Sequence, residues 1–158
     1  TKSMRRTLQK NSDLICFEKE AIATEEQFFL FQQYENVRHP NGEMASMDFN
    51  DFRSMVEDSP VETMMTEYRN KNGDLLAAAL TDTLSDGLSG VYTFFSPTHP
   101  KLSLGTFLIL SQIFKACELS LPYFYLGYWI QKSQKMAYKQ RFLPMEIFTQ
   151  SGWLDHKP

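Results

Sequence analysis

The sequence predicts an α+β fold: a mixed sheet in which an antiparallel meander feeds one β-α-β crossover, flanked by helices. Three observations carry this. Two turn signals, Lys71-Asn72-Gly73-Asp74 and Ser85-Asp86-Gly87, separate three runs of strand-like composition. A long helical periodicity then begins at Ser103, with Leu104, Leu108, Ile109, Ile113, Ala116 and Leu119 recurring at three- and four-residue intervals. After the stop at Pro122 comes an apolar and aromatic run, Tyr123 to Ile130. A strand, a helix and a second strand in that order make a right-handed crossover.

Bulk properties fit one packed domain. The chain has 158 residues, 42% of them hydrophobic and 14% aromatic, enough to bury a core. A net charge of −3 gives no overall attraction to nucleic acid, so any RNA contact needs a local cationic patch. The two cysteines, Cys16 and Cys117, are far apart and fall in apolar-periodic segments, which reads as reduced core thiols of a cytoplasmic protein. No Cys/His spacing suggests a metal, and no apolar run is long enough to span a membrane.

Taken in order, Thr1 to Asn11 carries Lys2, Arg5, Arg6 and Lys10 with no acid, and reads as a basic, solvated segment over residues 1–12. The folded domain is expected over 13–158. Asp13 to Ala23 reads as a strand or hairpin. Thr24 with Gln27 is a capping-box start, so a helix is expected to run to about Arg38 with Phe28, Phe31, Tyr34 and Val37 inward. Pro40 and Asn41-Gly42 end it. Asp48 caps a short helix reaching Glu57, with Phe49, Phe52, Met55 and Val56 inward. Strands are expected at Val61–Asn70, Leu75–Leu84 and Leu88–Phe95. The Ala77-Ala78-Ala79 run suits close packing. Ser103 is expected to cap the central helix with its hydroxyl.

The run Tyr123 to Ile130 is apolar or aromatic at seven of eight positions, which suits an inner parallel strand covered on both faces. Gly127 in its middle marks either a bulge or a close approach by another group. Lys132, Lys135, Lys139 and Arg141 follow, mixed with aromatics. Cations at the carboxyl end of such a strand are placed either to bind an anionic ligand or to form a solvated helix face.

These residues also carry a resemblance. Ser103-Leu104-Gly105 with Ser111-Gln112-Ile113, the run Leu121 to Ile130, and Ser133, Lys135-Met136-Ala137-Tyr138-Lys139, Arg141-Phe142 and Pro144-Met145-Glu146 resemble the C-terminal domain of the arginyl-tRNA–protein transferase family. The bacterial aspartate/glutamate leucyltransferase branch is the most similar. Ser3 to Asn11, the group Tyr34, Arg38 and His39, and Gly87 to Phe94 extend the resemblance over nearly the whole chain. It implies a GNAT-like acyltransferase sheet (Gcn5-related N-acetyltransferase), splayed between the strands before and after the central helix. It also implies an upstream domain with a Cys cluster, for which residues 1–12 would be the linker. Only Gly105 remains of the glycine-rich loop that cradles a pyrophosphate in acetyl-CoA enzymes. The resemblance supplies aminoacyl-tRNA as the donor instead, with no other cofactor, and proteins or peptides with N-terminal Asp or Glu as acceptors. At Ser96 the chain departs from it, since an acid is expected there.

The implied chemistry needs few parts. An aminoacyl ester is already activated, and an α-amine is partly neutral near pH 7. Positioning, proton removal and oxyanion stabilisation then suffice. Tyr92, Tyr125, Tyr128 and Ser133 are the candidates for that work, though each tyrosine also reads as core packing with a satisfied hydroxyl. Lys132, Lys135 and Lys139, with Ser103 and Gly105, are candidates for tRNA. Lys135 and Lys139, four apart, would share one face of a helix. Arg5, Arg6, Arg38 or Arg141 would read the acceptor carboxylate, with Gly127 also a candidate for substrate binding. The cation cluster within Ser3 to Asn11 could bind tRNA phosphates instead. A leucine donor needs an apolar pocket, which Met64, Met65 and Phe94 could line; an arginine donor would need acids. A non-catalytic module binding tRNA or peptide is the reading from another class.

Overall fold

The architecture comes from a computed structural model, which describes residues 1–130 and 132–156. Residues 157 and 158, the last two of the expected domain, lie outside the described residues. The chain forms two compact units, Thr1–Tyr125 and Leu126–Pro158.

The first unit holds a five-stranded sheet in the order β1-β2-β3-β4-β5. The strands are β1 (Ile15–Glu20), β2 (Thr63–Arg69), β3 (Leu75–Thr83), β4 (Gly87–Phe95) and β5 (Tyr123–Tyr125). The first four are antiparallel neighbours, and β5 joins β4 in parallel through the crossover helix α4 (Leu104–Glu118). Gly73, at φ 90°, makes the expected tight turn between β2 and β3. The register of β3 against β4 shifts between Leu80 and Thr81, so Val91 is an extra residue of β4.

Each face of the sheet has its own core. On one side α2 (Glu25–Arg38) and α3 (Phe49–Glu57) press Leu30, Phe31, Phe52 and Val56 onto Met65, Ala78, Leu80 and Phe94. On the other, Leu104, Phe107 and Leu108 of α4 meet Tyr68, Leu76, Ala77 and Ala79. The alanines of β3 are fully buried, and their small side chains let helices approach both faces. The caps form as expected: Thr24 and Asp48 each accept the amide three residues on, and each donates its own backbone N–H to that residue's side chain.

A buried ionic cluster joins three elements. Glu67 of β2, wholly buried, accepts from Lys19 Nζ of β1 (2.7 Å), Gln27 Nε2 of α2 (2.8 Å) and Arg69 Nε (3.0 Å). Burial alone would push its carboxyl up, but these bonds outweigh that and hold it below the usual carboxylate range.

Several expectations are corrected. Residues 1–12 do not fray: α1 (Lys2–Lys10) forms and packs toward α4, with Asn11 Nδ2 donating to Leu102 O at 2.8 Å. Val37 is exposed, because α2 buries the stripe Gln27, Phe31 and Glu35 instead. Cys16 and Cys117 are free but exposed, not core thiols. The strand expected over Tyr123–Ile130 ends at Tyr125 and lies at the sheet edge, so its aromatics are not sandwiched between two layers.

The second unit contains a 3-10 helix, Gln134–Arg141, and the hairpin β6 (Met145–Thr149) and β7 (Gly152–His156). Gly152, at φ 95°, supplies the turn between those strands. Trp129 packs on His156 with ring centroids 5.3 Å apart.

Candidate functional site

The pairing of β4 with β5 is short. Gly87, Leu88 and Ser89 face Tyr123, Phe124 and Tyr125, and the ladder stops there. From Gly90 to Phe95, β4 has no ladder partner on its β5 side among the described residues. At the far end of this unpaired stretch lies Phe95, where α2 ends and α4 begins.

Three elements meet on the Phe95 ring. Tyr34 of α2 lies 4.8 Å from it, centroid to centroid, and the Arg38 guanidinium carbon stands 6.0 Å from its centre. Gly105 of α4 comes so close that a Cβ there would sit 3.1 Å from Phe95 Cε1, so any larger residue would force the ring to shift by a few tenths of an ångström. His39 caps α2 and contacts Tyr34. Tyr34, Arg38, His39, Ser103 and Gly105 are thus grouped although α3 and three strands separate them in sequence. Arg38 also complements the carboxyl end of α2, the structural role its position offers.

Ser103 departs from its expected role. It adopts the left-handed conformation (φ 53°, ψ 44°), and no side chain caps α4. Its hydroxyl therefore leaves the first amides of the helix without a side-chain cap. The preceding loop is tied by hydroxyl and imidazole groups: Ser96 Oγ lies 2.8 Å from Thr98 Oγ1 and 3.0 Å from His99 Nδ1. Ser96, standing where an acid was expected, is itself buried and makes this local clasp.

The tyrosines of the first unit have partners of their own. Tyr92 OH donates to Glu35 Oε1 at 2.6 Å, and burial together with that carboxylate pushes the phenol well above its ordinary range. Tyr125 OH donates to Asp86 Oδ2 at 2.9 Å. Glu35 was missed in the sequence. The signal was there: Gln27, Phe31 and Glu35 recur every four residues on one stripe, and both polar ends of it are buried. Met65 and Phe94 are fully buried in the core, so they do not line a pocket for a leucine side chain.

In the second unit Gly127, at φ 72°, turns the chain so that the carbonyls of Leu126 and Tyr128 both reach Lys139 Nζ, each at 2.6 Å. Burial lowers the pKa of that ammonium. Tyr128 itself is 91% exposed. Ser133 precedes the 3-10 helix without a side-chain cap bond. Lys132, Lys135 and Arg141 are exposed. The shared helix face expected for Lys135 and Lys139 is corrected: at three residues per turn, positions four apart diverge by about 120°. One lysine faces solvent and the other is committed to backbone.

Among the described residues, no group of three or more His, Cys, Asp and Glu side chains could hold a metal ion, and no helix is long and apolar enough to cross a membrane. Residues 26–149 match the family described as arginine-tRNA-protein transferase, C terminus. The chain belongs to this family.

Relatives within the family agree with that placement. Proteins named aspartate/glutamate leucyltransferase from Gluconacetobacter diazotrophicus and Parvibaculum lavamentivorans are each 50% identical, over 96% and 98% of this chain. The chain spans 58% and 64% of their lengths. Among solved structures it is similar to the ribosomal-protein-S18-alanine N-acetyltransferase from Escherichia coli, with a TM-score of 0.59 at 14% identity over 89% of both chains. It is also similar to L-PGS from Bacillus licheniformis, with a TM-score of 0.55 at 10% identity over 84% of this chain and 41% of that one. At those identities the likeness is one of fold, and the fold is the GNAT-like α+β sheet expected from the sequence.

Proposed function

We propose that this chain is the acyl-transfer domain of an aminoacyl-tRNA–protein transferase, moving leucine from leucyl-tRNA to proteins or peptides that begin with Asp or Glu. Such transfer would mark its acceptors for degradation in the cytoplasm, and tRNA-borne ester would be its only cosubstrate. The observation that carries the reading is the meeting of Arg38, Phe95 and the uncapped amides of α4 beside the unpaired stretch of β4. In the reaction, the acceptor's α-amine attacks the ester carbonyl. A new amide C–N bond forms, the ester C–O bond breaks, and the terminal ribose oxygen leaves with a proton.

The uncapped amino end of α4, with Ser103 and Gly105, suits an anionic group of the donor. Arg38 is our choice among the four arginines for the acceptor carboxylate, because its planar guanidinium is held over an aromatic ring at the same corner of the sheet. Within the second unit, Tyr128, Ser133, Lys132 and Lys135 are exposed or half-exposed polar groups. Tyr125, already bonded to Asp86, would orient rather than donate, and Lys139 would fix the backbone that presents Tyr128.

The test is a transfer assay on an Asp-starting peptide with labelled leucyl- and arginyl-tRNA, in which leucine is expected to transfer. Arginine transfer alone would establish the arginyl enzyme instead. Failure of both, with tRNA and peptide still bound, would make the protein a binding module. Arg38→Ala is expected to raise KM for the peptide at least tenfold with little change for a peptide lacking the terminal carboxylate side chain.

A further inference from the structure

One charged surface takes no part in the site around Phe95. The first twelve residues carry Lys2, Arg5, Arg6 and Lys10 and no acid, a charge of +4, while the whole chain is −3 and residues 13–158 therefore carry −7. In α1 these cations are sorted. At 100° per residue, Lys2, Arg5, Arg6, Gln9 and Lys10 fall within an arc of about 140°, and all are exposed. Thr7 and Asn11 on the opposite side are buried, and Met4 and Leu8 beside them are half-buried.

The helix is fixed in place by its apolar side. Leu8 packs against the core beneath α4, Asn11 Nδ2 bonds Leu102 O at 2.8 Å, and Lys10 Nζ bonds Lys101 O at 3.1 Å. Both anchor points lie in the turn that leads into the amino end of α4. No ion pair among the described residues neutralises Lys2, Arg5, Arg6 or Lys10. An ordered helix presents an unneutralised cationic stripe from a chain that is otherwise acidic.

We infer that the outer face of α1 is a docking surface for the phosphate backbone of the donor tRNA, guiding its acyl-bearing end toward α4. The inference rests on the transferase reading only for the identity of the RNA. From Lys2 to Lys10 the stripe runs about 12 Å, at 1.5 Å per residue. That length serves a polyanion better than the single carboxylate of an acceptor terminus. Because residues 13–158 carry a net charge of −7, this unneutralised stripe is a source of attraction for a polyanion that the bulk charge does not provide, and its contribution falls with salt.

The test measures binding of uncharged tRNA as a function of KCl. It compares the protein with the triple variant Lys2→Gln/Arg5→Gln/Arg6→Gln and with the control Arg53→Gln, which removes an exposed cation on α3. Circular dichroism melting shows that α1 remains folded in the triple variant, and the single variant Arg6→Gln serves if it does not. The triple variant is expected to bind at least tenfold more weakly near 0.1 M salt and to lose about one unit of log–log salt slope per phosphate contact removed. The control should change neither. An unchanged affinity and slope, no binding by the wild type, or a raised KM for Asp-starting peptide with tRNA binding intact would each overturn the inference. The two readings fail separately. Stripe-dependent tRNA binding without transfer removes the enzyme and keeps the surface. Leucine transfer with an unaltered tRNA KM in the triple variant does the reverse.

Discussion

At the scale of residues, the sequence marks chemistry-bearing side chains without showing what they are tied to. Tyr92 stood out as a phenol on a central strand, but its hydroxyl is spent on the buried Glu35. Tyr92→Phe leaves that carboxylate without its donor, and urea unfolding should show a loss of about 1–3 kcal/mol. If Tyr92 serves the reaction directly, transfer falls further than this destabilisation explains. Lys135 and Lys139 looked equivalent because a four-residue spacing means one face only on an α-helix. Lys139→Met should lower the melting temperature, since two backbone carbonyls lose their donor, whereas Lys135→Met should leave it unchanged. Arg38 was legible as a candidate among four. Its ring partner Phe95, 57 positions away along the chain, was not, because a cation–π contact leaves no mark in local sequence.

At the scale of elements, what the chain encodes locally was readable. α2 and α3 begin at their capping residues, and the meander turns at Asn72-Gly73 and at Ser85-Asp86, because caps and turns are decided by four or five neighbouring residues. β5 was overextended, since an apolar and aromatic run fixes neither strand pairing nor burial: none of residues 123–130 is buried. Its first residue lies hard against β4 at Gly87, where a Cβ would stand 2.6 Å from the Tyr123 carbonyl oxygen. Gly87→Ala must therefore push β5 off β4. The expected outcome is a loss of hydrogen-exchange protection at Tyr123–Tyr125, with the β2–β3 ladder still protected. α1 was read as solvated because its few apolar residues gave no weight to Thr7 and Asn11, which bury through hydrogen bonds instead.

At the scale of the whole molecule, the class of fold was readable from element order alone, while the cluster around Glu67 was not. Its three partners come from β1, α2 and β2, and nothing in their spacing announces them. Because the folded carboxyl is held below its usual range, the folded state binds its proton less readily than the unfolded one. The cluster's stabilisation is therefore complete above the unfolded value of about 4.3 and is lost as pH falls through the lower folded value. Glu67→Gln should cost about 3 kcal/mol near neutral pH and flatten the acid side of the stability curve. The same cluster has a consequence for β1. That strand is the outermost of the sheet, with Ile15 and Phe17 on it partly open to solvent. Lys19 is drawn inward to Glu67 and Glu18 is paired with Lys115, so of three consecutive charges only Glu20 stands unpaired there among the described residues. Neighbouring copies are kept from adding a sixth strand by little more than that single carboxylate and the brevity of the edge. Concentrated protein carrying Glu20→Val should grow turbid on gentle warming well before it unfolds.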